Sequence, residues 1–273
     1  MSIRIRKVDE EIFYERGNWS TAGLKGIAIP TYPIAIDFSG NQIFLKPGNA
    51  RSPDHHFTFH TVAHRCPPEV SLHDQHNVIC EFANAVSWIK ELPIEVVDFT
   101  GSDLPTSVGS IFETTLGFND DFFIEYLPEP TERSVKLALA IYREGQLLNI
   151  PAYQCLSYFR ILNLAYGRGG KLKQWIRDHY EMVRDYWPHR LHDWMPLNSQ
   201  TPKQSIENYF ISSNRCAVAH ASDNEPTIDP NDLNDLQRMR HDLPFVKAMA
   251  AYTIEHTFLV PSAQTIFRRR RSP

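Results

Sequence analysis

The feature that most constrains this chain is a change of hydrophobic period near residue 130. Residues 24–62 run as LKGIAIP, YPIAIDF, QIFLK and HFTFHTV, short stretches rich in Ile and Phe that alternate apolar with polar and are broken by turn formers. They predict a β-rich meander. Ser39-Gly40-Asn41 between IDF and QIFL is a hairpin signal, because Gly and Asn tolerate the positive φ of tight turns. Residues 74–91 follow with Val78, Phe82, Ala85, Val86 and Ile89 on one helical face, with Asp74 as N-cap, and ELPIEVVDFTG supplies a further strand.

Leu127-Pro-Glu-Pro is the linker, since two close prolines discourage both helix and central strand. Beyond it the period is helical. Helices are predicted over about 131–147, 151–166 (Pro151 in the first turn, the glycines of GRGG as its stop), 171–186 and 203–220. A last long helix begins near Asp229-Pro230 and is kinked or divided at Pro244. The fold class is α+β: a β-rich α+β part over 1–130, an all-α bundle over 131–262 and a basic tail over 263–273.

The formal net charge of −4 conceals an uneven distribution. Residues 1–130 hold 9 Lys and Arg against 18 Asp and Glu, whereas 131–273 hold 19 against 14. Four of those cations are the consecutive Arg268, Arg269, Arg270 and Arg271. Such a balance excludes a protein that binds nucleic acid over its whole surface and leaves room for a local phosphate-binding site. No run approaches the roughly 18 apolar residues of a membrane span, and the charged N-terminus lacks the apolar core of a signal peptide. No membrane partner is expected, and the cytoplasm is the expected compartment. Four scattered cysteines do not make a disulfide framework.

Signatures of phosphate loops, dinucleotide folds, serine hydrolases and zinc proteases are absent, and no cofactor is expected. Six of the twelve histidines fall between 55 and 76, close to Cys66 and Cys80. His60, His64 and Cys66 are the natural metal candidates. Residues four apart on a strand are about 13 Å apart, too far for one ion, so no metal is expected and these histidines are assigned to surface and turns.

Chemistry concentrates in NYFISSNRCAVAHAS, residues 208–222. Arg215 and His220 stand five apart, about 140° around a regular α-helix, and converge only if the helix unwinds at His220. Arg215-Cys216-Ala217-Val218-Ala219-His220 resembles the Arg-x4-His motif of HEPN domains, helical modules that include metal-independent ribonucleases. The helix before it, YFRILNLAY with Asn163 in an apolar run, and the DPND loop and long helix after it, are similar as well. The resemblance covers about 131–260, and the whole chain weakly resembles methylamine-utilisation MauJ-type proteins. It departs from active HEPN members at Cys216, where they carry Asn, Asp or His.

The resemblance implies RNA cleavage by attack of a 2′-hydroxyl on its own phosphate. His220 would be the acid and base, Arg215 the phosphate clamp, and Asn163 the group orienting either. Asn214, Arg160 and Arg268 to Arg271 are the substrate-binding candidates. It also implies a homodimer with facing motifs, an RNA partner, and a trigger or partner protein at residues 1–130, as in a toxin or phage-defence effector. The alternative is a non-catalytic HEPN-like dimerisation or binding module.

Overall fold

A computed structural model describes residues 3–49, 57–106, 109–110, 116–187, 191, 194, 205–219 and 227–271, with the backbone alone for 57, 109, 110, 213, 270 and 271. The architecture is α+β: an N-terminal antiparallel sheet region followed by a helical region. The chain divides into two compact units, Met1–Glu129 with Phe267–Pro273, and Pro130–Ile266.

In the first unit, β1 (Ile5–Lys7), β2 (Asn18–Lys25), β4 (Ile34–Phe38), β5 (Asn41–Lys46), β7 (His60–Cys66) and β8 (Glu95–Ser102) form one sheet in the order β1-β4-β5-β7-β2-β8. All its pairings are antiparallel. Short strands β3 (Ala28–Ile29) and β10 (Gly117–Phe118) pair in parallel, and β6 (Phe57–Thr58) pairs with β9 (Gly109–Ser110). Ser39 and Gly40 both adopt positive φ (49° and 74°), making the two-residue β4–β5 hairpin turn that the sequence predicts. Strand β2 begins earlier than the alternation signals, because Trp19 and Ser20 are buried on opposite faces and the period-2 contrast is lost.

One sheet face carries Trp19, Ala35, Phe44 and Ala63, closed by Phe13 from a 3₁₀ turn at Glu10–Tyr14. Phe44 stands opposite Ala35 on one side and Ala63 on the other, so two small neighbours make room for the ring. Trp19 packs edge-on to Phe44 at 5.4 Å, and its indole N–H donates to the Glu15 carbonyl at 3.0 Å. The other face is covered by α1 (Leu72–Lys90), whose Phe82 meets Phe38 at 5.7 Å. Its cap is Ser71 rather than Asp74: the Ser71 hydroxyl accepts from the Asp74 N–H at 3.1 Å and donates to the Asp74 carboxylate at 2.6 Å. Gly26, at φ 78°, lies where a Cβ would stand 2.1 Å from the Pro93 carbonyl oxygen, so only glycine fits.

The second unit is built from α2 (Arg133–Leu147), α3 (Pro151–Tyr166), α4 (Gly170–Tyr186) and α5 (Leu233–His256). Pro151 opens α3 and Gly167, at φ 75°, ends it, as read from the sequence. Helix α3 packs against α2 and α5 through the fully buried Tyr158, Phe159, Ile161 and Leu162. Gly145 of α2 lies against the Tyr158 ring, where a side chain would collide at 2.8 Å.

Four sequence expectations are corrected here. Helix α5 is capped by Asp232, which accepts from the Asn234 N–H at 2.8 Å, and not by Asp229. Pro244 does not divide α5, which runs through it. In the same stretch the His241 carbonyl accepts from the Trp194 indole at 2.9 Å. The predicted helix over 203–220 is, among the described residues, an α turn (Ile206–Asn208), a π-helical segment (Tyr209–Cys216) and a second α turn (Ala217–Ala219). Finally, Ala263–Arg271, read as part of a tail, forms helix α6. The Ser262 hydroxyl accepts from the Thr265 N–H at 3.3 Å, and the arginines at the C-terminal end suit the helix dipole.

Candidate functional site

The π segment decides how the residues around Arg215 point. In an i→i+5 ladder, residues five apart stack over one another; the Ala217 N–H accordingly reaches the Ser212 carbonyl. Tyr209 and Asn214, five apart, therefore share a face and both donate to one oxygen of Asp242 on α5. The Tyr209 hydroxyl does so at 2.6 Å and the Asn214 amide at 3.1 Å. Asn214 and Asp242 are fully buried and Tyr209 nearly so. Asp242 Oδ1 and Asn214 Oδ1 have no hydrogen-bond partner among the described residues.

Burial raises the Asp242 carboxyl above its usual value, against the opposing pull of the Tyr209 and Asn214 hydrogen bonds and of His241 and Arg238. Burial likewise raises Tyr209, reinforced by the Asp242 charge, and raises the Cys155 thiol on α3, again with Asp242 contributing.

A pH dependence follows. The folded state holds a proton that the unfolded chain releases near the usual carboxylate pKa, so stability is greatest below that value and is lost as pH rises through the folded pKa. Asp242→Asn, which cannot ionise, is expected to flatten the decline in urea-unfolding stability as pH rises above the ordinary carboxylate range. A variant with the same slope as the parent would remove Asp242 as its source.

Arg215 follows Asn214 directly and is half-buried. Among the described residues its one polar contact is a 3.7 Å approach of Nη1 to the Cys216 sulfur, and no carboxylate pairs with it. Three other arginines of the unit are paired. Arg160 meets both Glu144 oxygens at 3.0 Å, Arg177 meets the buried Glu207 at 2.7 Å, and Arg238 meets Asp235 at 3.0 Å. Glu207 stays ionised although burial opposes it, because hydrogen bonds and Arg177 pull its pKa below the usual value.

His220 lies outside the described residues, so its distance to Arg215 is not part of this geometry. Asn163 is half-buried on α3, which packs against the π segment. Its backbone carbonyl closes α3 by accepting from the Gly167 N–H at 2.9 Å, while its side-chain Oδ1 is buried with no partner among the described residues. Asn214 turns inward to Asp242 instead of outward. Arg160 is committed to Glu144. Arg268 and Arg269 are exposed on α6, and the side chains of Arg270 and Arg271 lie outside the described residues.

Tyr209 and Asp242 are the members that sequence reasoning missed. A lone carboxylate in the apolar run LPFVKAMAAY and its preceding HD was the available signal for Asp242.

The histidines of the first unit are also corrected. His60 and His64 are buried in β7, not surface groups. His60 accepts from the Gly48 N–H at Nδ1 (3.1 Å) and so donates from Nε2 to the Gly117 carbonyl (2.9 Å). His64 donates from Nε2 to the Asn41 side-chain Oδ1 at 3.2 Å and accepts at Nδ1 from the Cys66 thiol at 2.8 Å. Burial lifts that thiol to about 11 and lowers His64, so the pair rests neutral and un-nucleophilic. Among the described residues no cluster of three or more metal-ligating side chains occurs. None of the described helices is long and apolar enough to cross a membrane. An open cleft of about 590 Å³ in the first unit is lined by Arg4, Asp37, Ser39, Tyr126 and Glu129 among others.

Residues 138–255 match the family model described as methylamine utilization protein MauJ. The chain matches no curated protein and no solved structure. The matched stretch contains Asn163, Asn214, Arg215, His220 and Asp242. Over it, the chain is similar to the MauJ family.

Proposed function

We propose that the chain is a HEPN-type, metal-independent endoribonuclease acting in the cytoplasm as a toxin or phage-defence effector. The observation that carries this reading is the Arg215 guanidinium, half-buried and without a carboxylate partner among the described residues. A guanidinium so placed favours an anion from outside, and its planar fork suits a phosphate. Arg215 would hold the scissile phosphate and offset the charge that builds on it. His220 would take the 2′-hydroxyl proton and return one to the leaving 5′-oxygen, leaving a cyclic phosphate. Asn163, with an orphaned amide oxygen, would orient the imidazole. Two copies would face each other across the cut bond, with a regulatory partner at residues 1–130.

A non-catalytic HEPN-like binding module is the second reading. It is favoured by Asn214, whose amide is spent on the core contact with Asp242 and is fully buried. Cys216 favours it too, since it stands where active HEPN members carry a polar residue.

Purified protein is expected to cut single-stranded RNA equally well with and without EDTA, and His220→Ala to lose the activity while melting at the parental temperature. Inhibition by EDTA, or full activity in His220→Ala, would overturn the proposed chemistry. A parent with no cleavage under either condition would favour the binding module.

A further inference from the structure

Asp242 has no part in the chemistry assigned to Arg215 and His220, yet the structure is built around it. An α-helix over 209–216 would put Tyr209 and Asn214 about 140° apart, and one carboxylate oxygen could not receive both. The pair of hydrogen bonds at 2.6 and 3.1 Å exists only in the π register. Return to an α register would leave a buried hydroxyl or amide donor unsatisfied, which opposes the change. Such π segments are rare, and here tertiary support comes from a different helix, 33 and 28 residues away along the chain.

We infer that Asp242 is a positioning residue: by holding Tyr209 and Asn214 on one oxygen it fixes the π register of Tyr209–Cys216, and with it the direction in which the next side chain, Arg215, points. The inference rests on the ribonuclease reading for what Arg215 does, and its register claim stands on geometry alone. The carboxylate acts through the backbone and touches no substrate. Its conservative replacement by asparagine keeps an oxygen that accepts both donors, whereas leucine keeps the approximate volume and accepts neither.

The test uses the full chain and two readouts. The first is the alkylation rate of Cys216 by iodoacetamide, followed on its own peptide; Cys216 ends the π segment, is half-buried and touches Arg215, so it reports the register without any activity. The second is kcat and KM for RNA cleavage. Asp242→Leu is expected to raise Cys216 alkylation about tenfold and to lower kcat about tenfold or more, as for a misplaced catalytic group. Asp242→Asn should stay within about threefold of the parent in both. Tyr209→Phe removes one donor, keeps the ring, and should raise alkylation about threefold; it decides the matter if Asp242→Leu does not fold. Parental alkylation rates in Tyr209→Phe, or in a folded Asp242→Leu, would overturn the inference, as would an Asp242→Asn that behaves like Asp242→Leu. If the parent cuts no RNA, the ribonuclease reading falls and the Cys216 rates alone decide the register claim.

Discussion

Arg215→Ala is expected to lower kcat/KM for RNA cleavage by about 10²–10³-fold, the usual loss when one preorganised donor to a developing charge is removed. Stability should remain within about 1 kcal/mol of the parent. These two expectations belong together. A guanidinium paired with a buried carboxylate, as Arg177 is with Glu207, could not be truncated without stranding a charge. Arg215 has no such partner among the described residues, so its removal strands no carboxylate there. Arg215→Lys restores the charge but not the two parallel donors, and should recover only part of the activity. Single-turnover cleavage alongside urea unfolding measures both. An Arg215→Ala protein that loses several kcal/mol of stability would mean that the side chain serves the fold.

Trp19→Ala is expected to destabilise the first unit by about 3–5 kcal/mol, the range for emptying a large aromatic site. The indole is fully buried on β2, packs with Phe44 and Phe13, and satisfies the Glu15 carbonyl. Arg65 lies over the same ring at 5.6 Å while pairing with Glu15 at 2.7 Å, so several contacts loosen together. Ala35 and Ala63 of the same core cluster are too small to extend and fill the space. Urea denaturation should show the loss as a lowered midpoint. A loss under about 1 kcal/mol would mean that the sheet face collapses around the cavity.

The α+β order of this chain is legible in the sequence wherever local chemistry decides the structure. Ser39-Gly40 makes its hairpin, Pro151 starts α3 and Gly167 stops it, each by a backbone preference confined to a few residues. Caps are less legible. Ser71 and Asp232 each compete with an Asp three residues away of similar capping propensity, and only the folded geometry selects between them. The buried imidazoles of His60 and His64 were unreadable, since their satisfaction comes from Gly48, Gly117 and Asn41, far along the chain.

The candidate site shows the same division. Arg215 stands out by spacing and resemblance. The π register around it does not, for it depends on a carboxylate 28 residues beyond Asn214. Five-residue spacing seemed to separate side chains under α-helical arithmetic; in the π segment that spacing is what joins Tyr209 to Asn214.

The most direct measurement is the fate of one phosphodiester in a short RNA incubated with metal-free protein. The account predicts a product ending in a 2′,3′-cyclic phosphate, and no product when the single 2′-hydroxyl beside the cut is replaced by hydrogen. A cut that survives the 2′-deoxy substitution, or a 3′-hydroxyl end in place of the cyclic phosphate, would contradict it.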